Sequence, residues 1–194
     1  MPRSDNTKLY LLDELGHRYH GRVFRAMSKN GNLCVLKYFV KSQYILNENN
    51  KRVEAGTEAV AKKAVEYWDK AYRNWIPPSS SGKWGGGDAI IMPDLEKLSV
   101  DVDRNTVKKL LERTMRERFY DRGIWHNDPS WRNVALVRNG TGGISKVCMI
   151  DLEPQRMIEE VETAKWKNFE TMWNDFSRRL EGDRDGFVAA VSTA

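Results

Sequence analysis

The sequence is poor in the residues that usually declare a chemistry at once. It has only two cysteines, Cys34 and Cys148, so no disulfide framework and no cysteine-based zinc pattern is visible. Each cysteine sits inside an apolar run, "LCVLKYF" or "KVCMIDL", and reads as a small buried strand residue. No run of 18 apolar residues occurs, and "MPRSDNTK" at the start leads into no stretch of signal-peptide length, so a soluble, intracellular chain without a membrane role is expected. Charge of one sign is not gathered into blocks either. The net charge is +5, with Lys and Arg spread along the chain, which suits an anionic ligand such as a nucleotide and equally suits many soluble proteins, and gives a dedicated nucleic-acid role little support. No internal repeat is present.

What is there is a chain of 194 residues, 40% hydrophobic and 30% charged, long enough for one large domain or two small lobes. "KLYLLDELG" and "GRVFRAMSKNGNLCVLKYF" hold apolar and aromatic runs around the Asn-Gly turn signal "KNGN", which predicts antiparallel sheet. From about Asn50 to Trp75, Ala, Lys and Glu dominate, and Val53, Val60, Ala64, Tyr67, Trp68 and Ala71 recur near helical spacing, predicting one long helix weakened at Gly56. "IPPSSSGKWGGGD" ends it and predicts a mobile loop, and "AIIMPDL" a short buried strand.

Asn105 to Arg122 carries Val107, Leu110, Leu111, Thr114, Met115 and Phe119 on one side, with Gly123 as a stop. "VALV" and "KVCMIDL", joined by "RNGTGG", predict a hairpin. Ile158 to Leu180, with Trp166, Phe169, Trp173, Phe176 and Leu180 at three- and four-residue steps, predicts a last amphipathic helix whose aromatic residues serve the core.

Between the long helix and that hairpin lies "GIWHNDPSWRNVALV", Gly123 to Val137. His126, Asp128 and Asn133 form H-x-D-x-x-x-x-N, and Asp151 follows in "MIDLE". In this spacing the chain resembles the protein-kinase-like superfamily, whose metal-binding Asp ends the hairpin after the catalytic loop. Upstream, "ELGHRYHGRVFRA" and "CVLKYF" supply Gly16, Gly21, Val23 and Lys37 in the order of that family's glycine-rich hairpin and third-strand Lys.

The resemblance implies an α+β, bilobal protein-kinase-like fold, with an antiparallel-sheet N-lobe and hinge over residues 1–98 and a reduced helical C-lobe over 99–194. It implies ATP and Mg²⁺ and the transfer of the γ-phosphoryl group to a hydroxyl acceptor, which is a protein Ser, Thr or Tyr, the chain itself or a small molecule. Asp128 would orient or deprotonate the acceptor, Asn133 and Asp151 would hold Mg²⁺ through hard oxygen ligands, and His126 would brace the loop. Lys37 would pair with the α- and β-phosphates and with a helix Glu, Glu58 in preference to Glu54. Gly16, Gly21 and Val23 would cover the phosphates, and the backbone from Ile91 to Leu95 would hold adenine.

Departures from the family are as informative. Arg18 replaces the middle glycine, so Arg18 or His20 becomes a candidate side-chain contact to phosphate. Asn127 replaces the Arg after His126, which removes the usual pocket for a phosphorylated activation loop. Ser130 stands two residues after Asp128, and Arg132, four after it, is the candidate cation for the transferred phosphate. "DLE" replaces Asp-Phe-Gly, as in small-molecule, lipopolysaccharide and aminoglycoside kinases, with Glu153 a further carboxylate candidate near the metal. About 40 residues follow Glu153, too few for a protein-substrate platform. "HNDPSWRN" is also similar to kinase-like domains of Crinkler-type effectors, which keeps secretion open. A pseudokinase, binding nucleotide or partner without turnover, is the alternative.

Overall fold

The structure, a computed structural model, describes residues 8–18, 21–47, 51–98, 102–160 and 166–183. It is a mixed α+β chain with antiparallel sheets and, among the described residues, three α-helices. None of these helices is long and apolar enough to cross a membrane. The chain divides into two compact units: the first runs to Asp94 and takes in Glu153–Gln155, and the second comprises Leu95–Leu152 and the residues from Arg156 onward.

In the first unit, β1 (Leu9–Arg18), β2 (Gly21–Ser28) and β3 (Leu33–Phe39) follow one another as an antiparallel meander. The turn at Lys29–Asn32 closes around Gly31, whose φ of +81° is open to glycine at little cost. β4 (Gln43–Leu46) pairs with β5 (Arg52–Ala55) as a separate hairpin. The predicted helix from Asn50 therefore begins later, as α1 (Thr57–Tyr72). Local composition favoured helix over Arg52–Ala55, but pairing with Gln43–Leu46 overrides that preference.

Val60, Ala61, Ala64, Tyr67, Trp68 and Ala71 of α1 are buried. Val60, Ala61 and Ala64 pack with Phe39 of β3, Ala55 of β5 and Ile90. Each fully buried large apolar side chain of this kind contributes about 1.5–3 kcal/mol. The segment expected to be a mobile loop instead forms β6 (Ser80–Trp84), which turns tightly into β7 (Gly87–Pro93). Gly85 and Gly86 have φ of +58° and +85°, the two left-handed positions of a two-residue hairpin turn. The five-stranded sheet runs β1-β2-β3-β7-β6.

In the second unit, β8 (Glu96–Lys97) edges a sheet of order β11-β10-β8, with β10 (Val134–Arg138) and β11 (Ile144–Met149) forming the predicted hairpin. α2 (Arg104–Thr114) is capped by Asp103, whose carboxylate accepts from the amides of Asn105 and Thr106 at 3.2 and 2.9 Å. Thr114 Oγ1 donates to the Val147 carbonyl at 2.7 Å and fastens the helix to β11. The helix loosens into a π turn at Met115–Phe119, then a 3₁₀ turn, and stops at Gly123 with φ +65°. β9 (Ile124–His126) pairs with β12 (Met157–Glu159). Ile158, expected at the start of the last helix, is thus a strand residue opposite Trp125. α3 (Phe169–Gly182) starts later, with Asn168 as its cap. Trp125, Phe169, Trp173 and Phe176 pack ring against ring.

Candidate functional site

Strand register in the first unit brings three of the expected nucleotide-binding residues into one row. Gly16 of β1 lies opposite Val23 of β2, and Val23 opposite Lys37 of β3. The two glycines differ physically. A Cβ on Gly16 would meet nothing within 4 Å, whereas one on Gly21 would lie 2.0 Å from the Tyr38 carbonyl oxygen. Gly21 is therefore required by the close approach of two strands, and Gly16 is not required by packing. The side chain of Arg18, and His20 altogether, lie outside the described residues.

Lys37 is 8% exposed, and its ammonium forms an ion pair with Glu153, which is 3% exposed. The same carboxylate accepts from Gln43 Nε2 at 3.1 Å and from Gln155 Nε2 at 2.8 Å. Burial of a charge is costly unless it is paired and hydrogen-bonded, and here it is both. This corrects the expected pairing of Lys37 with Glu58. Glu58 lies in the first turn of α1, on the face away from Val60, Ala61 and Ala64, and its carboxylate binds Lys62 one turn on at 2.7 Å. That hydrogen bond holds the Glu58 carboxyl below its ordinary range. Glu54, the other candidate, lies on β5 and accepts from Ser42 Oγ. The acidic residue of "DLE" thus supplies Lys37's counter-charge, a role that sequence spacing did not reveal. Gln43 and Gln155 gave no signal at all.

The second unit assembles the other expected group. β9 delivers His126, the turn after it delivers Asp128, and a 3₁₀ turn at Trp131–Asn133 delivers Asn133. Asn133 Nδ2 donates to Asp128 Oδ2 at 2.9 Å and to the Asp128 carbonyl at 3.2 Å. The Ile150 amide donates to the Asn133 carbonyl at 2.7 Å, so the end of β11 is tied to the same turn. Asp151 follows with φ +65°, a left-handed conformation that Asp tolerates better than most residues.

His126 is wholly buried and joins the two carboxylate-bearing segments. Its Nδ1 accepts from the Asp128 amide at 3.3 Å, which leaves Nε2, 3.3 Å from the Asp151 carbonyl oxygen, as the donor. The ring is therefore neutral in this arrangement, and burial pushes its pKa down from the ordinary value of 6.5.

Sequence reading missed Arg156. Its Nη1 donates to Asp128 Oδ2, and its Nε lies 2.9 Å from Asp151 Oδ2. One guanidinium thus reaches both carboxylates. Its backbone carbonyl accepts from the Asn127 amide at 2.7 Å, beside the β9–β12 pairing. Arg179 of α3 donates to the Asn127 carbonyl at 3.0 Å. Arg132 is exposed, with Nε 3.4 Å from Ser130 Oγ, and Trp131 is buried under the Arg104 guanidinium.

Among the described residues no group of three or more His, Cys, Asp or Glu side chains is gathered as a metal cage. Asp128, Asp151 and Asn133 form a smaller set of carboxylate and amide groups. Their oxygens are the hard donors that Mg²⁺ prefers, and the position between the two carboxylates already attracts a cation. The residues present fit that ion.

Residues 14–137 match the model of a family described as a family of unknown function, DUF5898. The chain belongs to that family. No curated protein matches it. The DUF5898 match takes in Gly16, Lys37, Asp128 and Asn133 and ends before Asp151, Glu153 and Arg156.

Proposed function

We propose that this protein is an ATP-dependent phosphotransferase of protein-kinase-like, bilobal design, moving the γ-phosphoryl group of Mg-ATP to a hydroxyl acceptor. The observation that carries the reading is the convergence in the second unit: His126 ties the Asp128 and Asp151 segments together, Asn133 bonds Asp128, and one guanidinium spans both carboxylates. The five-stranded antiparallel sheet, with its glycine-containing first hairpin and Lys37 on the third strand, supports it.

In this reading Asp128 takes the acceptor's hydroxyl proton as its oxygen bonds to the γ-phosphorus and the bond to the β–γ bridging oxygen breaks. Asn133 positions that carboxylate, and His126 fixes the spacing of Asp128 and Asp151. Asp128, Asn133 and Asp151 are the residues that would hold Mg²⁺, which when bound supplies charge neutralisation on the phosphate oxygens. By resemblance, Lys37 serves the α- and β-phosphates and the exposed Arg132 the transferred group.

Titration calorimetry tests the reading with ATP and Mg²⁺ separately and together. Mg²⁺-dependent ATP binding is expected in wild type, weakened about tenfold or more in folded Asp151→Asn and Lys37→Met variants. Folded wild type that binds no ATP, with or without Mg²⁺, removes the reading. A nucleotide-binding module without turnover is the second reading, favoured by Arg156 lying on both carboxylates. ATP consumption that Asp128→Asn abolishes separates the two.

A further inference from the structure

We infer that Arg156 is the resting cation of this site: its guanidinium stands between Asp128 and Asp151 where a divalent cation would bind, and metal must displace it. The inference rests on the phosphotransferase reading and concerns how that site is switched on.

Two carboxylates brought within reach of one group repel each other unless a positive charge lies between them. Here that charge is Arg156, which touches Oδ2 of each. A divalent ion and a guanidinium cannot share the same pair of oxygens without strong like-charge repulsion. Metal binding at those two Oδ2 atoms and Arg156 contact with them are therefore mutually exclusive.

The arginine is built for release at one end. Its backbone is anchored, because its carbonyl accepts from Asn127 and the next residue, Met157, pairs with His126. Its side chain is 23% exposed, which leaves a route to water. Although Nε lies 2.9 Å from Asp151 Oδ2, it makes no aligned hydrogen bond there, so that contact is coulombic and undirected. Asp128 and Asp151 keep their places when it leaves, since His126 and Asn133 hold the turn independently. Arg156 thus sets a threshold of metal concentration, and its guanidinium, once displaced, stays tethered beside the site.

The test is titration of Mg²⁺ alone, without nucleotide, into wild type, Arg156→Gln, Arg156→Lys, Arg179→Gln and Asp151→Asn, with near-UV circular dichroism as the check of folding. Removing the competing cation is expected to tighten Mg²⁺ about tenfold in Arg156→Gln. Arg156→Lys, which reaches with a single ammonium in place of a planar fork, tightens it by a smaller factor. Arg179→Gln removes an equal charge that binds Asn127 and pairs with Asp175 rather than with Asp128 or Asp151, and leaves Mg²⁺ binding within about twofold of wild type. Asp151→Asn weakens it.

Mg²⁺ binding in folded Arg156→Gln and Arg156→Lys that is no tighter than in wild type overturns the inference, as does equal tightening in Arg179→Gln. If those proteins still bind ATP in the presence of Mg²⁺, only the role of Arg156 falls. If wild type and both Arg156 variants bind neither Mg²⁺ nor ATP, the phosphotransferase reading falls with it.

Discussion

Lys37 in the first unit and Arg156 in the second are both cations drawn up against carboxylates, yet they are built to different ends. Lys37 faces Glu153, a carboxylate that is itself buried and accepts from two glutamine amides. Arg156 faces two carboxylates, is partly open to water, and holds one of them without an aligned hydrogen bond. The first arrangement resists change, because breaking it separates two buried charges. The second can exchange one cation for another. Both depend on a single short segment, Asp151 to Arg156, which gives an anion to one unit and a cation to the other.

The largest expected effect follows from that contrast. Glu153→Ala takes a buried, hydrogen-bonded carboxylate away from buried Lys37 and costs about 3–5 kcal/mol in urea denaturation, while Lys37→Met combined with Glu153→Gln recovers most of the loss. Arg156→Ala costs less, about 1 kcal/mol, because solvent already screens the Asp128 side. Equal losses at the two positions would show that Arg156 is as structural as Lys37 and would break the comparison.

Asp151 sharpens the second half of it. A side chain at φ +65° is strained, and the strain is retained where the carboxylate meets Arg156. Asp151→Gly and Asp151→Ala both lose the carboxylate, but only glycine relieves the backbone. The Gly variant is expected to be more stable than the Ala variant by about 1 kcal/mol in the same denaturation assay. The reverse order would mean that the backbone at this position is not under strain.

His126 links the carboxylate segments as a neutral ring, which makes the second unit sensitive to acid in a defined direction. Its folded pKa is depressed below 6.5 by burial, so as pH falls through that value the unfolded chain takes up a proton that the folded chain refuses. Stability is constant above the unfolded pKa and is lost below it, at up to about 1.4 kcal/mol per pH unit. His126→Gln lacks this component. The stability difference between wild type and variant should therefore shrink from pH 7.5 to pH 5.5 as read by urea midpoints. A difference that grows on acidification would require the ring to be charged in the folded protein.

The parts of this molecule that were legible in sequence are those governed by short-range rules. Asn30–Gly31 fixed the β2–β3 turn, Gly123 ended the helix-rich segment, and the spacing of Val107, Leu111, Thr114 and Met115 placed a buried face. The grouping of His126, Asp128 and Asn133 was legible because the three residues sit at fixed offsets within eight residues. What failed depends on partners far away in the chain. "SSSGKWGGGD" has the composition of a loop, and only pairing of Ser80–Trp84 with β7 makes it a strand. Arg52–Ala55 and Ile158 had helical neighbours but found strand partners. Arg156 belongs to no motif, and its importance exists only once the pairing of β9 with β12 brings its backbone beside Asn127.

The smallest expected effect is at the residue that spacing overrated. Glu58 and Glu54 were the natural counter-charges for Lys37, since a helix after the third strand commonly supplies one in kinase-like folds. Gly56 ends β5's run and starts α1 one residue later, which sets Glu58 on the solvent face with Lys62. An exposed pair one turn apart contributes little and is screened by salt, so Glu58→Ala should leave the urea midpoint and ATP binding unchanged within error. Glu153→Ala is the internal standard for that measurement, because both substitutions remove one carboxylate but only Glu153 is paired with Lys37. Should Glu58→Ala weaken ATP binding while Glu153→Ala does not, Lys37 would have to exchange partners when nucleotide binds, and the resting pair with Glu153 would then be, like Arg156 on its two aspartates, a contact made to be broken.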